Sequence, residues 1–231
     1  MHVRSYALTD IGKRRAENED RYLNDLKELL FGVADGVGGE DKGGEAAEAA
    51  VTAITDSTHT TKRTVETWLT ELVKNAHKKA LLYAPGATTL LLGHICDTKL
   101  YLAHLGDSRC YLLRKNKMTQ LTQDHALEND PSVDKDNSLF KNNPHLLKQL
   151  TRWVGTKGKV NPEFITQELQ VNDRILFCTD GVSNMIPTRV LEKMLSSESE
   201  PETLVNALIR EALLRGGLDN ATAVCVFIDS L

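Results

Sequence analysis

Four short apolar runs follow one another with no helical stretch between them. They are TTLLLGHI (88–95), KLYLAHL (99–105), RCYLLRK (109–115) and KMTQLT (117–122). The separators Asp97-Thr98, Gly106-Asp107-Ser108 and Lys115-Asn116 are polar and short enough for hairpin turns. This pattern predicts an antiparallel meander. It excludes a doubly wound parallel sheet, in which a helix must cross over between successive strands.

Other strands are predicted at 3–8, 29–35, 164–171, 174–179 and 221–228. Helices are predicted at 45–57, at 65–83 with Thr64 as N-cap, and in two stretches after Asp180. The 65–83 helix places Val65, Leu69, Leu72, Val73, Ala76 and Ala80 on one face. The last helix is expected to open on a capping box, Ser199-Glu200-Pro201-Glu202. Strands in blocks, with helices between the blocks, imply an α+β layered sandwich.

Between His125 and Pro162 the rhythm breaks into a segment rich in Asp, Asn, Ser and Pro. A long insertion of this kind in a compact domain usually serves function. We expect a single domain over 1–231 with an insertion at about 125–162.

The net charge is −4, which lacks the basic excess of a general nucleic-acid binder. No apolar run reaches the ~18 residues of a membrane span, and the N-terminus lacks a signal-peptide core. Cys96, Cys110, Cys178 and Cys225 all fall in apolar strand-like runs with no CxxC spacing, as expected of buried reduced thiols. These features point to a cytoplasmic protein.

Acids recur beside glycine at the ends of apolar runs. VADGVGGEDKGGEAA (33–47) places Asp35 after a strand-like run, with five glycines following. A partly dehydrated carboxylate there needs a partner. A bound cation, a phosphate-type loop with the acid incidental, and a plain turn are all open. FCTDG places Asp180 after a strand, GGLDN places Asp219 before one, LGDSR places Asp107 between two, and AENEDRY adds Glu19 and Asp20. If the sheets bring these tips together, the carboxylates repel unless cations lie among them. Oxygen donors of this kind select hard ions, Mg²⁺ or Mn²⁺.

The ordered set RRAENED, VADGVGG, GATT, LAHLGDSR, LTQDHA, LTRWVG, FCTDG and GGLDNAT resembles the metal-dependent serine/threonine protein phosphatases, the PPM or type-2C family. It is most similar to the compact bacterial members. The resemblance implies a four-layer α-β-β-α sandwich of two antiparallel sheets, with the insertion as a flap beside the cleft. It implies two Mn²⁺ or Mg²⁺ ions: Asp35 bridging both, the Gly36 carbonyl on the first, and Asp180 and Asp219 on the second. Glu19 and Asp20 would hold metal-bound waters, and Arg15 would grip the substrate phosphate. Asp107 and the residue at 184 would hold a third ion. Here that residue is Asn184 instead of an acid, which weakens the third site. A histidine that many animal members carry after Asp-Gly is here Val37.

The implied activity is hydrolysis of phosphoserine and phosphothreonine in proteins by a hydroxide bridging the two ions. The substrates would be products of a serine/threonine kinase, and the enzyme a monomer that acts without nucleic acid or membrane. The alternative is a catalytically weak phosphoprotein-binding module of the same fold. Ser108, Thr88 and Thr89 read as structural, Asn220 as orienting Asp219 or a turn, and His125 as without a chemical role.

Overall fold

A computed structural model describes residues 1–37, 42–58 and 64–231, so Gly38 and Gly39 of the glycine-rich stretch lie outside the described residues. In chain order, β1 (His2–Asp10), β2 (Arg21–Asp25), β3 (Leu30–Ala34) and the two-residue β4 (Gly36–Val37) precede α1 (Gly43–Ser57) and α2 (Val65–Ala80). The two-residue β5 (Ala87–Thr88) opens the predicted meander, β6 (Leu90–Cys96), β7 (Lys99–Leu105), β8 (Arg109–Arg114) and β9 (Lys117–Gln120). A short α3 (Ser138–Asn142) lies in the insertion. Then come β10 (Glu163–Glu168), β11 (Arg174–Cys178), α4 (Asp180–Ser183), α5 (Thr188–Ser197), α6 (Pro201–Leu214) and β12 (Ala221–Ser230).

The strands form two five-stranded sheets, ordered β1-β12-β11-β8-β9 and β10-β7-β6-β3-β2, while β4 and β5 pair separately. Every pairing is antiparallel. The meander therefore divides between the sheets: β6 and β7 lie in one, β8 and β9 in the other.

Three apolar layers explain why the central strands read as unbroken apolar runs. Phe31, Val33, Leu91 and Leu102 of one sheet pack against Leu112, Ile175, Phe177 and Val224 of the other. Alternate residues of the first sheet, such as Leu30, Leu90, Leu92 and Ala103, pack beneath α1 and α2 with Trp68 and Leu72. Alternate residues of the second, such as Leu176, Ala223 and Cys225, pack beneath α5 and α6 with Leu191 and Leu208. With each sheet covered on both faces, successive side chains of either parity are buried. The result is the α-β-β-α sandwich. Gly93 lets the sheets approach closely: a Cβ there would lie 2.5 Å from the Phe177 ring of the facing sheet.

Thr64 caps α2 as expected, accepting the Thr67 N–H. The helix ends at Ala80, and 81–83 form a 3-10 turn. The expected capping box is absent. Helix α6 starts at Pro201, with Glu200 at the cap and no side-chain cap bond. The Glu200 carboxylate instead pairs with Arg4 at 2.6 Å, and Pro201 serves the first turn because its missing N–H costs nothing there. Strand β2 (RYLND) carries no strand pattern in the sequence, because it is a polar edge strand with one buried side chain, Leu23. Strand β10 ends at Glu168 and leaves Val171 exposed. Cys110, Cys178 and Cys225 are buried free thiols, and Cys96 is half-buried.

Truncating Phe177, fully buried between the sheets, to alanine should lower the unfolding free energy by about 3–5 kcal/mol. Denaturant titration reads this directly, and a loss below about 1 kcal/mol would contradict the packing described.

Candidate functional site

Asp35 leaves β3 at the sheet edge, and its backbone is fixed on both sides. Its N–H donates to Thr89 Oγ1 at 3.0 Å. Its carbonyl accepts from the Thr89 N–H at 2.8 Å and from Thr88 Oγ1 at 2.9 Å. The two threonines are thus the clamp that aims Asp35. Gly36 must lack a side chain, since a Cβ there would meet the Gly43 carbonyl carbon at 2.6 Å and Glu19 Cβ at 2.9 Å. This close approach brings the start of α1 and Glu19 against the Asp35-Gly36 turn.

Asp180 is the first residue of α4. Its Oδ2 accepts from Asn184 Nδ2 at 3.1 Å. Gly181 allows the Asp180 and Asp219 segments to touch, because a Cβ at Gly181 would sit 1.8 Å from the Asn220 carbonyl oxygen. Asp219 has both oxygens engaged. Oδ1 accepts the Asn220 N–H at 2.8 Å, and Oδ2 accepts from Arg15 Nη2 at 2.6 Å. Arg15 is therefore held by an acid of the cluster. Asn220 organises the loop that carries Arg15 and Glu19. Its Oδ1 accepts the Glu19 N–H at 2.9 Å, and its Nδ2 donates to the Ile11 and Glu17 carbonyls at 2.8 and 2.9 Å.

Asp20 is buried, with 1% exposure. Its Oδ2 accepts from Thr179 Oγ1 at 2.8 Å and Thr222 Oγ1 at 2.7 Å, while its Oδ1 has no partner. Asp107 sits in the turn after β7. Ser108 Oγ lies 3.0 Å from Thr89 Oγ1. Arg109 reaches Asp124 with a bidentate fork at 2.6 and 2.9 Å. No local pattern marks Thr179, Thr222 and Asp124 as the residues that fix these acids.

The acids perturb one another. Burial, then the charges of Asp180 and Asp219, pushes the Asp20 carboxyl up to about 7 despite its two threonine bonds. Burial, then Asp20, Asp180, Asp107 and Asp219, raises Asp35 well above the carboxylate range. Burial, then Asp180 and Asp124, raises Asp107 to about 7. Burial, then Asp219, raises Asp180. Five carboxylates from five segments thus share one field. The donor set is all oxygen, with an orphaned buried carboxylate oxygen on Asp20. That chemistry fits hard divalent cations. Lowering such carboxyls to their charged form takes a cation among them.

A four-layer sandwich with acids gathered at one sheet edge offers a site for hard divalent cations. The profile of the family described as protein phosphatase 2C matches residues 13–213, and the chain belongs to that family. The serine/threonine phosphatase stp of Listeria innocua is 32% identical over 94% of this chain and 93% of its own. The crystal structure of the Mycobacterium tuberculosis serine/threonine phosphatase PstP/Ppp superposes with a TM-score of 0.86 at 27% identity, covering 99% of each chain. The catalytic domain of PstP in complex with two manganese ions gives a TM-score of 0.82 at 27% identity, covering 97% of each.

The raised carboxyls make metal-free stability depend on pH with a definite sign. Asp107 keeps its proton in the folded state up to about 7, whereas the unfolded carboxyl loses it near 3.8. Between these values the folded state binds more protons, so stability falls as pH rises. In chelator, wild-type melting temperature should drop relative to Asp107→Asn as pH goes from 5 to 8. Thermal unfolding of the pair checks this, and a constant or rising difference would contradict it.

Proposed function

We propose that the chain hydrolyses phosphoserine and phosphothreonine in proteins at this acidic edge, with Mn²⁺ or Mg²⁺. The observation that carries the reading is the convergence of Asp20, Asp35, Asp107, Asp180 and Asp219 into one repulsive cluster. The family membership and the two-manganese relative support it. Asp35 and the Gly36 carbonyl would hold one ion, Asp35, Asp180 and Asp219 the other, and Glu19 and Asp20 the waters around them. When bound, the two ions supply Lewis acidity and an activated water nucleophile.

The chain's own groups do the rest. Arg15 projects beside Asp219 with one guanidinium nitrogen engaged, and its remaining N–H donors present a fork matched to phosphoryl oxygens. The Asp219 pair orients that fork, so substrate grip and metal holding share one carboxylate. Thr88 and Thr89 hold Asp35 at a fixed height on the sheet edge. Asn184 donates to Asp180 and orients it, and an amide in that role adds no negative charge for a third ion beside Asp107. Val37 has no proton to give a leaving alkoxide.

Residues 1–231 act as one catalytic domain, with 125–162 as a flap over its rim. Among the described residues no helix is long and apolar enough to cross a membrane. We read the protein as a monomeric cytoplasmic enzyme that reverses the work of a serine/threonine kinase.

Manganese-dependent cleavage of an aryl phosphate and of a phosphothreonine peptide is expected. Asp35→Asn and Asp219→Asn should each reduce kcat at least about a hundredfold, since each removes charge aimed at the reacting centre. Full turnover in excess chelator, or near-normal rates in both variants, would refute the assignment. Arg15→Lys should raise KM more than it lowers kcat, because a point charge replaces a bidentate fork.

A further inference from the structure

The 125–162 segment starts on the turn that carries Asp107, and Glu163, just past its other end, reaches the same histidine. The His125 N–H donates to the Gly106 carbonyl at 2.8 Å, and the Gly106 N–H donates to His125 Nδ1 at 3.1 Å. On its other edge, His125 Nε2 lies 3.2 Å from Glu163 Oε2, with Arg152 Nη1 3.3 Å away. The Thr151 N–H donates to the His125 carbonyl at 2.8 Å. His104 stacks on the His125 ring at 4.5 Å. It is fully buried with neither ring nitrogen partnered, and its Nδ1 lies 3.9 Å from the same Glu163 oxygen.

Two histidines and a glutamate with ligand atoms within 4.8 Å of one another invite a transition-metal reading. The backbone argues against it. Because the Gly106 N–H points at Nδ1, that nitrogen carries the lone pair, and the neutral ring bears its proton on Nε2. Nε2–H therefore donates to Glu163. A metal on Nε2 would move the proton to Nδ1, directly against the Gly106 N–H. The group is a hydrogen-bonded clamp.

The clamp continues toward the acids. Beyond Gly106 and Asp107, Ser108 Oγ meets Thr89 Oγ1 at 3.0 Å, and that oxygen accepts the Asp35 N–H at 3.0 Å. A second tie runs in parallel. Val154 of the same segment exchanges backbone bonds with Thr88 at 2.9 and 3.0 Å, and Thr88 Oγ1 donates to the Asp35 carbonyl.

We propose that His125 and Glu163 are positioning residues. They lock the start of the 125–162 segment to the Gly106–Asp107 turn and, through Ser108 and Thr89, set the height of Asp35. This rests on the reading of Asp35 and Asp107 as cation-facing. Neither His125 nor Glu163 touches substrate; both act through the backbone they hold.

The test uses the full chain and Mn²⁺ alone, titrated by calorimetry, with kcat and KM for an aryl phosphate measured alongside. Circular dichroism melts confirm folding. His125→Leu should weaken Mn²⁺ binding about tenfold, as loss of a ligand-orienting partner does, and lower kcat more than it raises KM. His125→Gln keeps an oxygen to accept from Gly106 and an amide N–H to donate to Glu163, so it should recover most of the loss. Glu163→Ala should shift both quantities in the same direction by less. Its side chain is 40% exposed, so this variant decides the matter if His125→Leu does not fold. Wild-type Mn²⁺ affinity and kcat in a folded His125→Leu or in Glu163→Ala would overturn the clamp. So would His125→Gln performing no better than His125→Leu. Wild-type protein that takes up no Mn²⁺ would sink the cation reading of Asp35, and the clamp with it; normal wild-type uptake matched by the variants sinks the clamp alone.

Discussion

Like charges crowded at a dehydrated edge repel, and that repulsion is the constraint around which this molecule is built. Asp35, Asp180 and Asp219 come from segments far apart in sequence, and no local preference brings them together. The two sheets do so, because β3, β11 and β12 deliver their ends to one rim. Burial alone would drive these carboxyls to keep their protons. A pair of divalent cations held by these residues would reverse that balance and couple metal uptake to proton release.

Holding such a cluster requires rigidity where the acids are mounted. Each sheet is buried on both faces, and side-chain hydroxyls tie the acid-bearing turns to neighbouring strands. The strength of the ties follows their burial. The exposed Arg4–Glu200 pair, far from the rim, is worth about 0–1 kcal/mol. Breaking the partly buried, bidentate Arg109–Asp124 pair would strand a charge, a cost of about 3–5 kcal/mol for a fully buried pair and less here in proportion to solvent access. The turn bearing Asp107 is thus anchored by a strong interaction on one side and by the His125 clamp on the other.

Much of this was legible in the chain because the signals are local. The meander, the helix beginning at Val65 and its Thr64 cap follow from period and turn chemistry. The acids announced themselves by sitting beside glycine at run ends, and the structure brings Arg15, Glu19, Asp20, Asp35, Asp107, Asp180, Asn184 and Asp219 into one neighbourhood. What stayed hidden depends on tertiary contact. β2 carries one buried side chain and reads as loop. Glu200 pairs with Arg4 across the fold, so the apparent capping box dissolves. His104 and His125 are 21 residues apart and show no metal spacing, yet their rings stack. Thr179 and Thr222 look like ordinary strand residues until Asp20 is placed between them.

The most direct test of the central claim is the anomalous scattering of a crystal soaked in manganese. Two peaks are expected at the rim within coordination distance of Asp35, one of them also contacting Asp180 and Asp219. A map with no peak among these three carboxylates, or with manganese only at His104, His125 and Glu163, would contradict it.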